Sequence, residues 1–274
     1  MPSLESLLNK PPESKNFFGL FVGRSGDGKS VAEACFPRPI LVFDFDFRVE
    51  GIIGGVAAGC FKDVKDVEFK QYNTRTADGF NNFNNDLQIL ETQRKSGQFP
   101  YKTIIVDSLF SMSRALIVAS HALQGKGKFI GDLRISGPAD YGFEVSGMHQ
   151  CFDFFRMMPC NLLCSAHVID KYGKLDRSKE YSETGVIGEK LTVRDQLGES
   201  VQAYFSNTYR FTREVVNGKT RFYVEFSTDL AKNSYGIGAG RHDITGINFY
   251  EYLQKLIKDP NYKKPEEPTK KVQE

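Results

Sequence analysis

One short loop constrains this chain more than any other feature, because eight residues fit the pattern Gly-x-x-x-x-Gly-Lys-Ser: Gly23, Arg24, Ser25, Gly26, Asp27, Gly28, Lys29 and Ser30. The apolar run Phe17–Val22 predicts a buried strand before the loop, and Ser30–Ala34 predicts a helix after it. In that context the glycines allow successive backbone N–H groups to face phosphates. Lys29 would reach the β- and γ-phosphates, and the Ser30 hydroxyl would ligate Mg²⁺. We therefore expect ATP with Mg²⁺ to bind here.

Three side chains that follow other apolar runs are candidates to complete this site. Asp107 closes the run Thr103–Val106, where a carboxylate would organise Mg²⁺, although an Asp here could instead cap the next helix. Asp46 follows the run Pro39–Asp44 and would orient the attacking water, unless it is a solvated loop charge. His167 ends a further apolar run and is a candidate γ-phosphate sensor, although a single histidine is as often structural.

Strand and helix signals alternate along the chain, which predicts an α/β fold with a mostly parallel central sheet flanked by helices. The segments Thr208–Val216 and Thr220–Ser227, joined by an Asn-Gly turn, predict an antiparallel C-terminal hairpin. The charged stretch Val168–Glu199 has little periodicity and predicts a long loop or an insertion. We expect three parts: an N-terminal segment 1–16, one domain 17–258 and a disordered tail 259–274.

The bulk composition argues against a strongly basic nucleic-acid-binding protein, a membrane-spanning protein and a zinc protein. The 36 Lys and Arg residues nearly balance the 34 Asp and Glu residues, giving a net charge of +2, so any nucleic-acid surface must be local. No run approaches the ~18 apolar residues of a membrane span, and the N-terminus has no signal pattern. The 5 cysteines include one close pair without a second, which favours free thiols over zinc ligands. These features predict a soluble, cytoplasmic protein.

In their order, these motifs resemble those of the RecA-like ATPases, and most closely those of the phage single-strand annealing proteins of the Sak-four type. The phosphate loop, the strand ending in Asp44-Phe45-Asp46, the strand Ile104–Ser108 and the strand Leu163–His167 carry the resemblance. A fifth element, Ala231–Gly236, is similar to the Lys-Asn-Arg-Phe-Gly element of bacterial RadA. Together they span most of the chain.

The resemblance implies a RecA-like P-loop core with ATP sites shared between subunits of a ring or filament. Asp46 stands where the family has Glu, a shorter arm that could slow hydrolysis or shift the catalytic role to Glu50. Ser234 replaces the arginine of the RadA element, which leaves Lys232 as the candidate cation that would reach the ATP of a neighbouring subunit, unless it is a surface lysine in a turn. If the chain is phage-encoded, its place is the cytoplasm of the bacterial host.

The resemblance also assigns contact with single-stranded DNA to two basic loops. The first loop offers Lys126, Lys128 and Phe129, and the second offers Lys171, Tyr172, Lys174, Arg177 and Lys179. Cations interleaved with aromatic rings suit phosphate contact combined with base stacking. Acidic residues in the second loop cancel much of its charge, so a solvated mobile loop is the alternative there.

Three functions follow from these expectations. The leading hypothesis is a DNA-stimulated ATPase of recombination that promotes annealing or strand pairing, with a single-strand-binding protein or a helicase as a further partner. The second is a small-molecule kinase, which would need an arginine-bearing lid over the transferred phosphoryl group. The third is a non-hydrolysing ATP switch that loads a helicase or polymerase.

Overall fold

A computed structural model describes residues 16–125, 128–130, 133–174 and 184–262 of the 274-residue chain. The strands in these ranges are β1 (Phe18–Val22), β2 (Ile40–Asp44), β3 (Val67–Gln71), β4 (Thr103–Asp107), β5 (Lys128–Ile130), β6 (Leu133–Ile135), β7 (Asn161–Ala166), β8 (Val168–Lys174), β9 (Thr184–Leu191), β10 (Asn207–Val216), β11 (Lys219–Glu225) and β12 (Arg241–Asp243). The helices are α1 (Lys29–Ala34), α2 (Glu50–Ala57), α3 (Ala77–Lys95), α4 (Leu109–Gln124), α5 (Pro138–Arg156), α6 (Asp195–Gln202) and α7 (Phe249–Lys258).

Eight strands form one sheet in the order β12-β11-β10-β1-β7-β4-β2-β3. All pairs from β10 to β3 are parallel, whereas β10–β11 and β11–β12 are antiparallel. The predicted fold class is therefore confirmed: an α/β core with a mostly parallel sheet, flanking helices and an antiparallel C-terminal hairpin. The hairpin extends the sheet on the side of β1, next to the phosphate loop.

The central strands are apolar along nearly their whole length because helices cover both faces of a parallel sheet. On one face, Phe83 of α3, Met112 of α4 and Phe152 of α5 pack in a single buried cluster. On the other face, Ala32 of α1 and Leu253 of α7 belong to a second cluster. Helix α1, which follows the phosphate loop, is thereby fixed against the sheet.

Parallel pairing brings the carboxyl ends of four strands to one edge of the sheet. Val22 of β1 lies beside Ala166 of β7, and Asp44 of β2 lies beside Asp107 of β4. Strand β7 lies between β1 and β4. The loops that follow these strands therefore meet at a single crevice, which is the usual ligand site of such sheets.

Of the two alternatives predicted for Val168–Glu199, a long loop and an insertion, the long loop is wrong for the residues that the structure describes. Strand β8 pairs antiparallel with β9 to form a separate two-stranded ribbon, and α6 follows it. The ribbon pairs its backbone groups internally, but it does not cover the core along its length, so its sequence lacks a clear apolar–polar alternation. Strands β5 and β6 form a second, shorter ribbon.

Helix α2 and strand β12 were not predicted from the sequence. The sequence of α2, EGIIGGVA, contains three glycines, which weaken a helix signal, and β12 has only 3 residues. Within the described residues no helix has both the length and the apolar character to cross a bilayer. Of the predicted tail, residues 263–274 lie outside the described part, whereas Tyr262 packs on Tyr252 of α7 with ring centroids 5.9 Å apart.

Candidate functional site

The phosphate loop bends at two glycines with left-handed φ angles, 82° at Gly26 and 90° at Gly28. Helix α1 begins at Lys29 without a side-chain cap, so its first N–H groups can face a ligand. The Lys29 ammonium donates to the carbonyl oxygens of Gly23 and Arg24, at 2.9 Å each. Burial lowers the pKa of Lys29, although nearby carboxylates oppose this shift. The loop can therefore present N–H groups and one cation to a polyphosphate.

Asp107 ends β4 opposite α1, and its Oδ2 lies 3.5 Å from the Ser30 hydroxyl. The Ser165 hydroxyl on β7 donates to its other oxygen. Burial raises the pKa of Asp107, and the charges of Asp46 and Asp44 raise it further, while the Ser165 hydrogen bond opposes the rise. A hydroxyl and a carboxylate suit Mg²⁺, which takes few protein ligands and completes its coordination with phosphates and waters. Ser30 and Asp107 therefore fit the predicted cation.

Asp46 lies two residues beyond β2, where the Asp44 carboxylate accepts its N–H at 3.0 Å. The Ser111 hydroxyl donates to Asp46 Oδ1, and His167 Nε2 lies 3.5 Å from Asp46 Oδ2. Burial alone would raise the pKa of Asp46, but hydrogen bonds, led by that of His167, outweigh burial and lower the pKa. Asp46 is thus held as an ionised carboxylate that can accept a proton or orient a water molecule.

Two neighbours of Asp46 along the chain reach the same crevice. Arg48 Nη1 donates to the Ser25 hydroxyl of the phosphate loop at 3.0 Å. Glu50 is the first residue of α2 and also lines the cleft. It therefore lies in the same cleft as Asp46, to which it is the alternative catalytic carboxylate. The sequence did not predict roles for Ser111 of α4, Ser165 of β7 and Arg48, because a single serine or arginine carries no local signal.

The cleft beside these groups has a volume of about 570 Å³ and extends from the phosphate loop along α1. Its polar end includes Ser25, Gly26, Gly28, Lys29, Ser30, Asp46, Asp107 and His167. Its other end is apolar and is lined by Ala32, Cys35, Phe222, Ile244, Ile247 and Phe249. The Phe222 ring covers the loop so closely that a Cβ on Gly28 would lie 3.1 Å from it. A polar end for phosphates and an apolar end for a base match the two halves of a nucleotide.

Gly23, Arg24 and Asp27 shape the loop from behind and do not line this cleft. The Asp27 carboxylate accepts the N–H of Arg24 at 2.7 Å and lies 3.5 Å from the buried Arg210 guanidinium of β10. The Arg24 side chain leaves the loop and donates to Asp170 of β8. The side chains of Arg24 and Asp27 therefore contact other elements, whereas Lys29, the third charged residue of the loop, lines the cleft.

These contacts belong to an ion-pair chain that joins the phosphate loop to the β8–β9 ribbon. We use this name for five residues: Asp27, Arg210, Glu189, Arg24 and Asp170. Glu189 of β9 pairs with Arg210 at 2.6 Å and lies 3.9 Å from the Arg24 Nε. This ion-pair chain runs from Asp27 inside the phosphate loop to Asp170 and Glu189 of the ribbon. A displacement of the ribbon would therefore act directly on the loop.

The predicted DNA-binding residues fall mostly on the two ribbons. Lys171 and Tyr172 lie on β8, where both are exposed, Tyr172 by 66%. Lys174 ends β8, and Lys128 and Phe129 lie on β5, as backbone positions of those strands. Lys126, Arg177 and Lys179 lie outside the described residues. The structure therefore places part of the predicted DNA surface on the ribbon that bears the ion-pair chain.

Lys232, the expected contact to a neighbouring subunit, lies outside the cleft of its own chain. Its backbone forms a bridge with Thr208, and its ammonium donates to the carbonyl oxygen of Gln202 at 2.9 Å. The side chain is nevertheless exposed. Within one chain it therefore takes no part in the site.

Comparison with known proteins gives remote structural similarities. No protein-family model matches the chain, and no curated protein matches it. A KaiC-like protein from the archaeon Pyrococcus horikoshii OT3 is similar at 10% identity and a TM-score of 0.44, over 82% of this chain and 83% of its own. The flagellar accessory protein FlaH from Methanocaldococcus jannaschii is similar at 8% identity and a TM-score of 0.39, over 76% of each chain.

Proposed function

We propose that the chain is an ATPase that binds single-stranded DNA, hydrolyses ATP at interfaces between copies of itself, and promotes annealing of complementary strands. One observation supports the ATPase part most strongly. Four side chains meet at the polar end of a cleft whose other end is apolar: Lys29 and Ser30 at the start of α1, Asp46 just after β2, and Asp107 at the end of β4. That convergence is what hydrolysis of a nucleoside triphosphate requires.

In the proposed site each side chain has a separate task. Lys29 binds the β- and γ-phosphates, while Ser30 and Asp107 hold Mg²⁺, which neutralises charge on the phosphates. Asp46 orients the attacking water and accepts its proton, because the hydrogen bonds of Ser111 and His167 hold its carboxylate ionised. His167 also lines the cleft, so it can respond to the presence of a γ-phosphate.

The DNA part of the proposal depends on the β8–β9 ribbon. Lys171 and Tyr172 are exposed on β8 as a cation and a ring that suit a phosphate and an unpaired base. Asp170 and Glu189 of the same ribbon hold Arg24 of the phosphate loop. DNA bound on the ribbon would therefore change the loop through the ion-pair chain, which gives a physical route to DNA-stimulated hydrolysis.

Assembly with further copies would complete the site. Lys232 is exposed and away from the cleft of its own chain, as expected of a cation that serves a neighbour. We expect these copies to form rings or filaments that act in the cytoplasm, together with a single-strand-binding protein or a helicase. Lys232→Ala should leave nucleotide binding unchanged and reduce turnover only in the assembled state.

Electron microscopy of the full chain tests the proposal as a whole. Images would be compared with and without single-stranded DNA, in the presence of ATP or a non-hydrolysable analogue. We expect closed rings or filaments that lengthen or become more numerous when DNA and the analogue are both present. Particles of a single chain under every condition, with no bound DNA, would contradict the proposal.

A further inference from the structure

We propose that a second groove, beside the polar end of the cleft, binds the backbone of single-stranded nucleic acid through arginine side chains that the two predicted DNA loops do not include. This inference rests on the proposed DNA-binding function and names a surface for it. The groove has a volume of about 1050 Å³ and shares Ser25, Asp46, Arg48 and His167 with the nucleotide cleft. We call it the arginine groove.

Charge is the main reason for the assignment. Four arginines line the groove, one each from the phosphate loop, the β2–α2 loop, the β3–α3 loop and α4: Arg24, Arg48, Arg75 and Arg114. Asp46 is the single carboxylate among its described lining residues, and that carboxylate is already bonded to Ser111 and His167. On a chain with a net charge of only +2, this is a strong local concentration of positive charge.

Three of these arginines are available to a ligand. Arg48, Arg75 and Arg114 are exposed, and within the described ranges none of them has an ion-pair partner. Arg24 differs, because Asp170 and Glu189 neutralise it. Guanidinium groups bind phosphate oxygens in bidentate geometry, so three of them without an ion-pair partner in one groove suit the phosphates of a DNA strand.

Two exposed aromatic rings favour an unpaired strand over other phosphates. Phe47 is 51% exposed and Phe110 is 37% exposed, and both line the groove. Phe47 has a left-handed φ of 57°, and its N–H donates to Asp44 Oδ1 at 2.7 Å, so a fixed turn presents its ring. Unpaired bases can stack on such rings, whereas the bases of a duplex cannot reach them.

The position of the groove gives the bound strand a direct contact with the ATPase site. A nucleic-acid strand in the groove would contact the Asp46–His167 pair and Arg48. Arg48 in turn donates a hydrogen bond to Ser25 of the phosphate loop. The bound strand would thus act on the proposed catalytic carboxylate without passing through the ribbon. The groove and the ribbon meet at Val168 and Ile169, which begin β8, so one strand could contact both surfaces.

The test compares two double variants of the full chain, with a labelled thymidine oligonucleotide as the probe. Arg75→Ala/Arg114→Ala removes two charges from the groove and none from the nucleotide cleft. Lys62→Ala/Lys102→Ala removes two exposed charges elsewhere, with Lys102 just before β4 at the opposite edge of the sheet. Matching melting temperatures would show that both variants are folded.

We expect the groove variant to bind the oligonucleotide about tenfold more weakly. The plot of log K against log salt should also become less steep by about 1.4, since each phosphate contact on a single strand contributes roughly 0.7 to its slope. The basal ATPase rate of the variant should be unchanged, while stimulation by DNA falls. The control should match the wild type. Phe47→Ala should weaken binding without changing the salt slope, because a ring releases no counterions.

Two different results would overturn the inference and remain distinguishable. If the wild type binds the oligonucleotide and the groove variant binds it with equal affinity and slope, the groove is not the site, although the proposed function stands. If the wild type binds no single strand but phosphorylates a nucleoside monophosphate, and the groove variant loses that activity, the groove is the acceptor site of a kinase. Both the inference and the proposed function would then be wrong.

Discussion

The carboxylate of Glu189 on β9 accepts hydrogen bonds from both Nε and Nη2 of Arg210 on β10, each at 2.6 Å. Arg210 is buried, and its third nitrogen lies 3.5 Å from Asp27 of the phosphate loop. The pair therefore ties the ribbon to the strand that supports the loop. Coupling between the proposed DNA surface and the ATP site can be examined at this contact.

Replacing Glu189 with Gln should uncouple the ribbon from the loop. The change removes the charge opposite Arg210 and should cost about 1–3 kcal/mol of unfolding free energy, as for other lost charged hydrogen bonds. Basal ATP turnover should remain within about threefold, whereas stimulation by single-stranded DNA should be lost. Denaturant unfolding and phosphate-release assays measure the two effects.

A matched control is Glu91→Gln on α3, which breaks a two-bond pair with Arg94 at 2.7 and 2.8 Å far from the loop. It should lower stability slightly and leave the stimulation ratio unchanged. A coupling role for the ion-pair chain would be contradicted if both variants lost DNA stimulation equally, or if neither variant lost it.

Lys29→Ala should remove nucleotide turnover. The side chain is the one lysine of the loop, and its ammonium is held beside the loop carbonyls. Loss of a single preorganised donor to a charged transition state lowers the rate by about 100-fold or more. Steady-state phosphate release and a fluorescent ATP analogue measure turnover and binding. The exposed Lys62→Ala serves as control and should behave like the wild type.

Asp46→Asn should lower turnover by about 100-fold while nucleotide affinity is retained, because a general base acts in the chemical step. Asp46→Glu should keep measurable turnover, since it restores the longer carboxylate that the resemblance leads us to expect. Single-turnover hydrolysis measures the step directly. If Glu50→Gln abolishes hydrolysis and Asp46→Asn does not, Glu50 is the catalytic carboxylate instead.

Glu33 supplies a prediction about pH. It is buried on α1, its Oε1 has no hydrogen-bond partner among the described residues, and burial raises its pKa well above 4.5, with Asp107 adding to the rise. Above about pH 4.5 the unfolded state releases the Glu33 proton, whereas the folded state still holds it. The contribution of Glu33 to stability therefore falls as the pH rises from about 4.5 through the pKa of the folded state. Glu33→Gln removes the effect.

Melting temperatures of the nucleotide-free protein at pH 5 and pH 8 test this sign. Glu33→Gln should raise the melting temperature more at pH 8 than at pH 5, by about 2–4 °C for each kcal/mol gained. The exposed Glu199→Gln should change both values equally. A larger gain at pH 5 would show that Glu33 is not held protonated.

The buried central strands and the polar end of the cleft could be predicted from the sequence, because each such strand is a short apolar run and a polar residue lies at or just after its end. Val42 to Asp46 and Ile105 to Asp107 are examples. Parallel pairing then brings those acids to one edge, whatever the details of the helices. This explains why the fold class and the positions of Lys29 and Asp107 could be anticipated.

The ribbons, the apolar end of the cleft and the arginine groove could not be predicted. The ribbon β8–β9 leaves apolar residues such as Ile169 and Val186 exposed among charged ones, so its sequence has no clear alternation and resembles that of a loop. Phe222 reaches Gly28 only because β11 pairs with β10, which pairs with β1. The arginine groove draws single residues from four segments that are distant in sequence, and none of them is unusual in its own segment.

The most direct test of the central claim is the rate of ATP hydrolysis as single-stranded DNA is added at low salt. We expect the rate to rise with DNA and saturate, and to be absent in Lys29→Ala. It should fall back as salt is raised, because added salt opposes the counterion release that drives DNA binding. A wild-type rate that does not change with DNA at any salt concentration would contradict the claim that this chain is a DNA-stimulated ATPase.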